Sequence, residues 1–116
     1  MSLVAVSCAE RHVARLIQVN LERQGYQIVI WGSAAETLEQ IESSSPNILV
    51  IDPDGTCGRL EEVISEARSL SPGTKIIVLR RKDSDHDDDG DADLYLTKPF
   101  DPMQILGGGG PPPAYA

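Results

Sequence analysis

Pro46-Asn47-Ile48-Leu49-Val50-Ile51-Asp52 is the stretch on which the fold of this chain turns. Four consecutive apolar residues, three of them β-branched, suit a strand covered on both faces, as in a parallel sheet flanked by helices. Asp52 stands where that strand gives way to a loop. Upstream, Leu3 to Val6 reads as a short buried strand. Glu10 to Gln24 follows as a helix with Val13, Leu16, Ile17 and Leu21 on one face, and Gly25 is placed to stop it. Gln27 to Trp31 is a second β-branched strand. Ser33 and Glu36 form a capping-box pattern that opens a helix turning Leu38 and Ile41 inward. That helix ends at Ser43-Ser44-Ser45-Pro46.

Downstream of Asp52 the alternation continues. A loop over Asp52 to Gly58 leads into a third helix with Leu60, Val63, Ile64 and Ala67 on one side, broken by Ser71-Pro72-Gly73. Ile76 to Leu79 is the fourth strand and Leu94-Tyr95-Leu96 the fifth. No internal repeat is visible. Strands alternating with helices of this length imply right-handed crossovers and a parallel α/β sheet. In such a sheet, ligand chemistry sits beyond the carboxyl ends of the strands. The residues to weigh are therefore Ser7 to Glu10, Asp52 to Gly58, Arg80-Arg81 and Thr97-Lys98-Pro99.

Size and composition agree with one domain. The chain has 116 residues, 41% of them apolar, enough for a single core. It holds no run of about 18 apolar residues, the length needed to cross a membrane as a helix. The first residues, Met1 to Ser7, have neither a basic start nor a long apolar stretch, so a secretory signal is not expected. Two cysteines, Cys8 and Cys57, make no disulfide framework, and a cytoplasmic setting is the expectation. The net charge of −8 is concentrated. Residues 83–93 hold seven of the 18 acidic residues, and outside them 11 acidic residues face 10 basic ones. No basic stripe is present, which argues against direct nucleic-acid binding.

Three segments carry a resemblance to a known family. Val19-Asn20-Leu21-Glu22-Arg23-Gln24-Gly25-Tyr26, Pro46 to Asp52, and Ala92-Asp93-Leu94-Tyr95-Leu96-Thr97-Lys98-Pro99-Phe100 resemble the receiver domains of bacterial two-component response regulators. The likeness spans roughly residues 3–106, leaving 107–116 as a Gly/Pro-rich tail or linker. It implies a flavodoxin-like three-layer α/β/α sandwich around a five-stranded parallel sheet. It also implies a protein partner, either a histidine kinase or a downstream signalling protein, and a monomer or weak dimer rather than an independent enzyme. Residue by residue, the resemblance makes Asp52 the phosphoacceptor candidate, Lys98 the phosphate partner and Pro99 the cis-proline candidate.

The departures from the family pattern are as informative. The acidic pair expected after the first strand falls on Cys8 and Ala9, with Glu10 one step late. The Thr/Ser position after the fourth strand is Arg80, which could place a fixed cation near Asp52 as an anion partner or point to water. The turn after Asp52 is rewritten as Pro53-Asp54-Gly55-Thr56-Cys57-Gly58. A shell of Asp52, Glu10 and Asp54 would hold Mg²⁺ weakly, because that ion wants several oxygen ligands. Of the five functional positions, Asp52 and Lys98 remain, the pattern of a degenerate, or pseudo-, receiver. A working phosphoacceptor with an unusual metal shell is the alternative.

Asp85, Asp87 and Asp89 with Gly90 match the first half of a calcium loop, and Asp93 adds a fourth carboxylate. Leu96 stands where the bidentate glutamate would be, which favours the plainer reading of a solvated acidic loop over Ca²⁺ binding. The run replaces the family's fourth helix, which is therefore expected to be reduced, and presents an acidic surface suited to a basic partner. The fifth helix opens at Asp101-Pro102 and meets Gly107 after Leu106, so it is expected to be truncated. His12 is expected to face solvent and Trp31 to pack. A redox or soft-metal pairing of Cys8 with Cys57 is set against two idle thiols, the commoner state.

Overall fold

In a computed structural model the chain is described over residues 2–52, 60–80, 92–97 and 105, the side chains of Arg80 and Thr97 excepted. Five strands, β1 (Leu3–Ser7), β2 (Gln27–Trp31), β3 (Ile48–Ile51), β4 (Lys75–Arg80) and β5 (Leu94–Thr97), alternate with α1 (Arg11–Glu22), α2 (Ala34–Ser44) and α3 (Leu60–Leu70). The strands form one parallel sheet in the order β2-β1-β3-β4-β5. This is the flavodoxin-like arrangement. Its order reverses between β1 and β3, and Asp52 follows β3 there. The segments that would form a fourth and most of a fifth helix lie outside the described residues. Ile105 is in helical backbone and buried.

Period-two side-chain alternation explains why β3 is apolar throughout. Val50 joins Val4, Val6, Ile77, Leu79 and Leu96 beneath α1, where Ala14, Ile17, Leu21 and Ile105 complete the cluster. Leu49 and Ile51 join Ala5, Ile76 and Val78 on the opposite face, against Ile41 of α2 and Val63, Ile64 and Ala67 of α3. Each fully buried aliphatic side chain contributes about 1.5–3 kcal/mol. Trp31 packs in the second cluster, as expected, and His12 is exposed.

Local signals set the helix ends. Ser33 accepts a hydrogen bond from Glu36 N–H at 3.1 Å, so the N-cap forms, and the Glu36 side chain returns one residue beyond it, its Oε1 accepting from Gly32 N–H at 2.8 Å. Gly25, at φ 90°, closes α1 with Tyr26 N–H bonded to the Leu21 carbonyl and Gly25 N–H to that of Glu22. That Schellman pattern requires the left-handed residue which glycine supplies without strain. Two expectations for this helix need correction. It is shorter, Arg11 to Glu22, because the Schellman turn consumes Arg23 to Gly25. Leu16 is 46% exposed, and Ala14 takes the inward place, because the apolar stripe of α1 runs through Ala14, Ile17 and Leu21.

Candidate functional site

The parallel register sets Ser7 of β1 beside Ile51 of β3, so residues 8 and 52 emerge side by side at the carboxyl edge of the sheet. Asp52 N–H donates to the Ser7 carbonyl at 2.9 Å, and Cys8 N–H donates to the Trp31 carbonyl at 3.0 Å. These bonds carry the ladder past the strand ends and hold both residues in place. Asp52 is 2% exposed and Cys8 4%. Cys8 Sγ lies 3.4 Å from Asp52 Oδ2 and 3.3 Å from the Glu10 carbonyl, a donor position facing two oxygen acceptors. A thiol is a weak donor, but in a buried setting even a weak partner lowers the cost of keeping a carboxylate there.

Ser7, among the residues weighed from the sequence, and Thr37, which was not, also belong to this edge. Thr37 Oγ1 is hydrogen-bonded to Ser7 Oγ at 2.7 Å and to the Ser33 carbonyl at 2.8 Å, both hydroxyls being buried. They tie the first turn of α2 to the end of β1, one residue before Cys8. The i, i+4 spacing of Ser33 and Thr37 was a readable signal for the second bond. The first needs the packed fold.

Other sequence candidates fall elsewhere. Glu10 is exposed at the start of α1. Asp54, Cys57, Lys98, Pro99, Asp85, Asp87 and Asp89 lie outside the described residues, as does the Arg80 side chain. Asp93 sits at the amino edge of the sheet, the end opposite Asp52. Its Oδ2 accepts from Ile76 N–H at 2.8 Å and lies 3.3 Å from the Arg68 guanidinium.

Comparison with known proteins reads this geometry. The chain is 31% identical over 105 residues to the alkaline phosphatase synthesis transcriptional regulatory protein PhoP of Bacillus subtilis, an alignment spanning 83% of this chain and 42% of that protein. It is 33% identical over 103 residues to the response regulator MprA of Mycobacterium ulcerans, spanning 84% of this chain and 44% of the relative. The CheY-like receiver domain protein of Methanospirillum hungatei superposes with a TM-score of 0.81 at 24% identity, over 92% of this chain and 89% of that one. This chain is a response regulator receiver domain. No protein-family model matches it. It spans less than half the length of the curated relatives it matches.

Receiver domains are signalling domains. The family chemistry calls for a divalent cation beside the aspartate. Mg²⁺ demands near-octahedral oxygen coordination. In this receiver domain, β1 delivers a sulfur to within 3.4 Å of Asp52, and Ala9 beyond it offers only a methyl group. Among the described residues, no three His, Cys, Asp or Glu side chains converge as a metal site. The described donor set does not fit Mg²⁺. Among the described residues, no helix is long and apolar enough to cross a membrane.

Proposed function

We propose that this receiver domain is a pseudo-receiver, transmitting its signal by protein–protein contact without phosphorylation of Asp52. The observation that carries this reading is the buried Cys8 thiol 3.4 Å from Asp52 Oδ2. Phosphoryl transfer depends almost entirely on positioning and on neutralising the charge of the transferred group. A neutral thiol supplies no cation and no hard ligand for one. Asp52 then serves as a retained anion inside the rim, and the receiver fold serves as a shaped surface. Its partner is a protein, a histidine kinase or a downstream signalling component, and the acidic run over residues 83–93 favours one with a basic face.

Incubation with acetyl phosphate and Mg²⁺, followed by intact-mass measurement, tests the reading. The expected spectrum is unchanged from the untreated protein. A gain of one phosphoryl group that disappears in Asp52→Asn would overturn it in favour of the alternative, a working phosphoacceptor.

A further inference from the structure

We propose that the outer face of α1 is a docking surface for the acidic run of a second copy of this chain, so that the domain self-associates through α1 and residues 83–91. The inference rests on the part of the reading above in which the acidic run meets a basic protein face. It names that face, and it holds whether or not Asp52 takes a phosphoryl group.

The inner stripe of α1, Ala14, Ile17 and Leu21, is buried. On its outer side Arg11, His12, Arg15, Leu16, Val19 and Asn20 line a groove. Arg11, His12 and Arg15 are exposed, and Leu16 keeps 46% of its surface in water. One exposed leucine is ordinary on a protein surface. The charges around this one are not. Residues four apart share a helix face, so Arg11 lies beside Arg15, where like charges repel. Cations near the start of a helix also oppose its dipole. No acidic residue stands in the first turn of α1 to offset them. Among the described residues, neither guanidinium has an ion-pair partner. Local rules broken together, without compensation inside the molecule, point to a surface kept for a contact.

Charge and topology name the occupant. Residues 83–93 hold seven of the 18 acidic residues, and the rest of the chain is nearly balanced. Asp93 is engaged by Arg68 and by Ile76 N–H, which leaves Asp83 to Asp91 to meet cations. The chain's own run is on the wrong side of the sheet to reach α1. That helix packs with Val4, Val6 and Ile77 on one face. Ala92, at the described end of the run, packs with Val63, Ile64 and Ala67 of α3 on the other, the side that a right-handed connection from β4 to β5 takes. The sheet therefore separates an acidic side from a basic helix, and a second copy brings the two together. The arginines supply steering and orientation, and Leu16 supplies apolar area to remove from water.

Sedimentation velocity over a range of protein concentrations, at low and at high salt, tests the proposal. The samples are wild type, Arg11→Glu with Arg15→Glu, Asp87→Asn with Asp88→Asn and Asp89→Asn, and an equimolar mixture of the two variants. Wild type is expected to sediment faster as its concentration rises at low salt and to stay monomeric at high salt, because exposed charges are screened. Each variant alone is expected to stay monomeric. Their mixture is expected to form a pair at low salt, since one variant keeps the run and the other keeps α1. Glutamates suit the first turns of a helix, so the α1 variant should melt no lower than wild type. If it does not fold, Arg11→Gln with Arg15→Gln takes its place and must lose the association too. Wild type that is monomeric at every concentration and low salt overturns the inference and leaves the phosphorylation reading untouched. Association that survives either variant, or that persists at high salt, assigns the contact to another surface and overturns it. A mixture that stays monomeric overturns the pairing of α1 with the run.

Discussion

The two ends of the sheet use polar side chains in different ways. At the amino edge, hydrogen bonds join one strand entry to the next. Leu3 N–H donates to Asn47 Oδ1 at 2.9 Å, Asn47 N–H returns a bond to the Leu3 carbonyl, and Lys75 N–H donates to the Asn47 carbonyl. Thr74 Oγ1 donates to the Pro46 carbonyl at 2.6 Å and pairs with Ser71 Oγ at the same distance. Asp93 fixes the start of β5 to Ile76. At the carboxyl edge, a carboxylate 2% exposed is met by a thiol, among the weakest donors a side chain offers. The amino edge is built for strand register. The carboxyl edge holds a buried carboxyl group beside a thiol, where the strand order reverses.

Substitutions can break that contrast. Thr74→Val should have the largest effect, about 2 kcal/mol lost in urea unfolding. It leaves the Pro46 carbonyl and Ser71 hydroxyl without the bonds Thr74 supplied inside the protein. Asp93→Ala should lose about 1.5 kcal/mol, mostly from the bond to Ile76 N–H, with faster amide exchange at Ile76 as its signature. Cys8→Ala should lose about 1 kcal/mol, the sum of a weak hydrogen bond and a small cavity. If Cys8→Ala proves costlier than Thr74→Val, the division of labour between the edges is wrong. Arg68→Ala should cost no more than about 0.5 kcal/mol, and the loss should vanish in high salt. Arg68 and Asp93 are 35% and 40% exposed, so solvent screens their ion pair.

Much of this was legible along the chain. The apolar run Ile48 to Ile51 announced a strand covered on both faces, and β3 has α1 on one side and α2 with α3 on the other. The Ser33–Glu36 cap and the Gly25 stop depend on atoms a few residues apart, and both form as read. Leu16 misled because Ala14 satisfies the helical period equally well, and a small residue lets α1 sit close to the sheet. Asp93 was read with its acidic neighbours in sequence, yet its carboxylate is engaged at the far end of the sheet.

By itself the sequence determined the alternation of strands and helices, their caps, and a carboxylate at the end of the central strand. Each of these follows from periodicity and from bonds spanning a few residues. Only the tertiary structure decided what stands beside that carboxylate. Cys8 and Asp52 are 44 positions apart, and Ser7 and Thr37 are 30 apart. Their meeting depends on β1 lying between β2 and β3 in the folded sheet, a register set by the packing of both apolar layers rather than by any local signal.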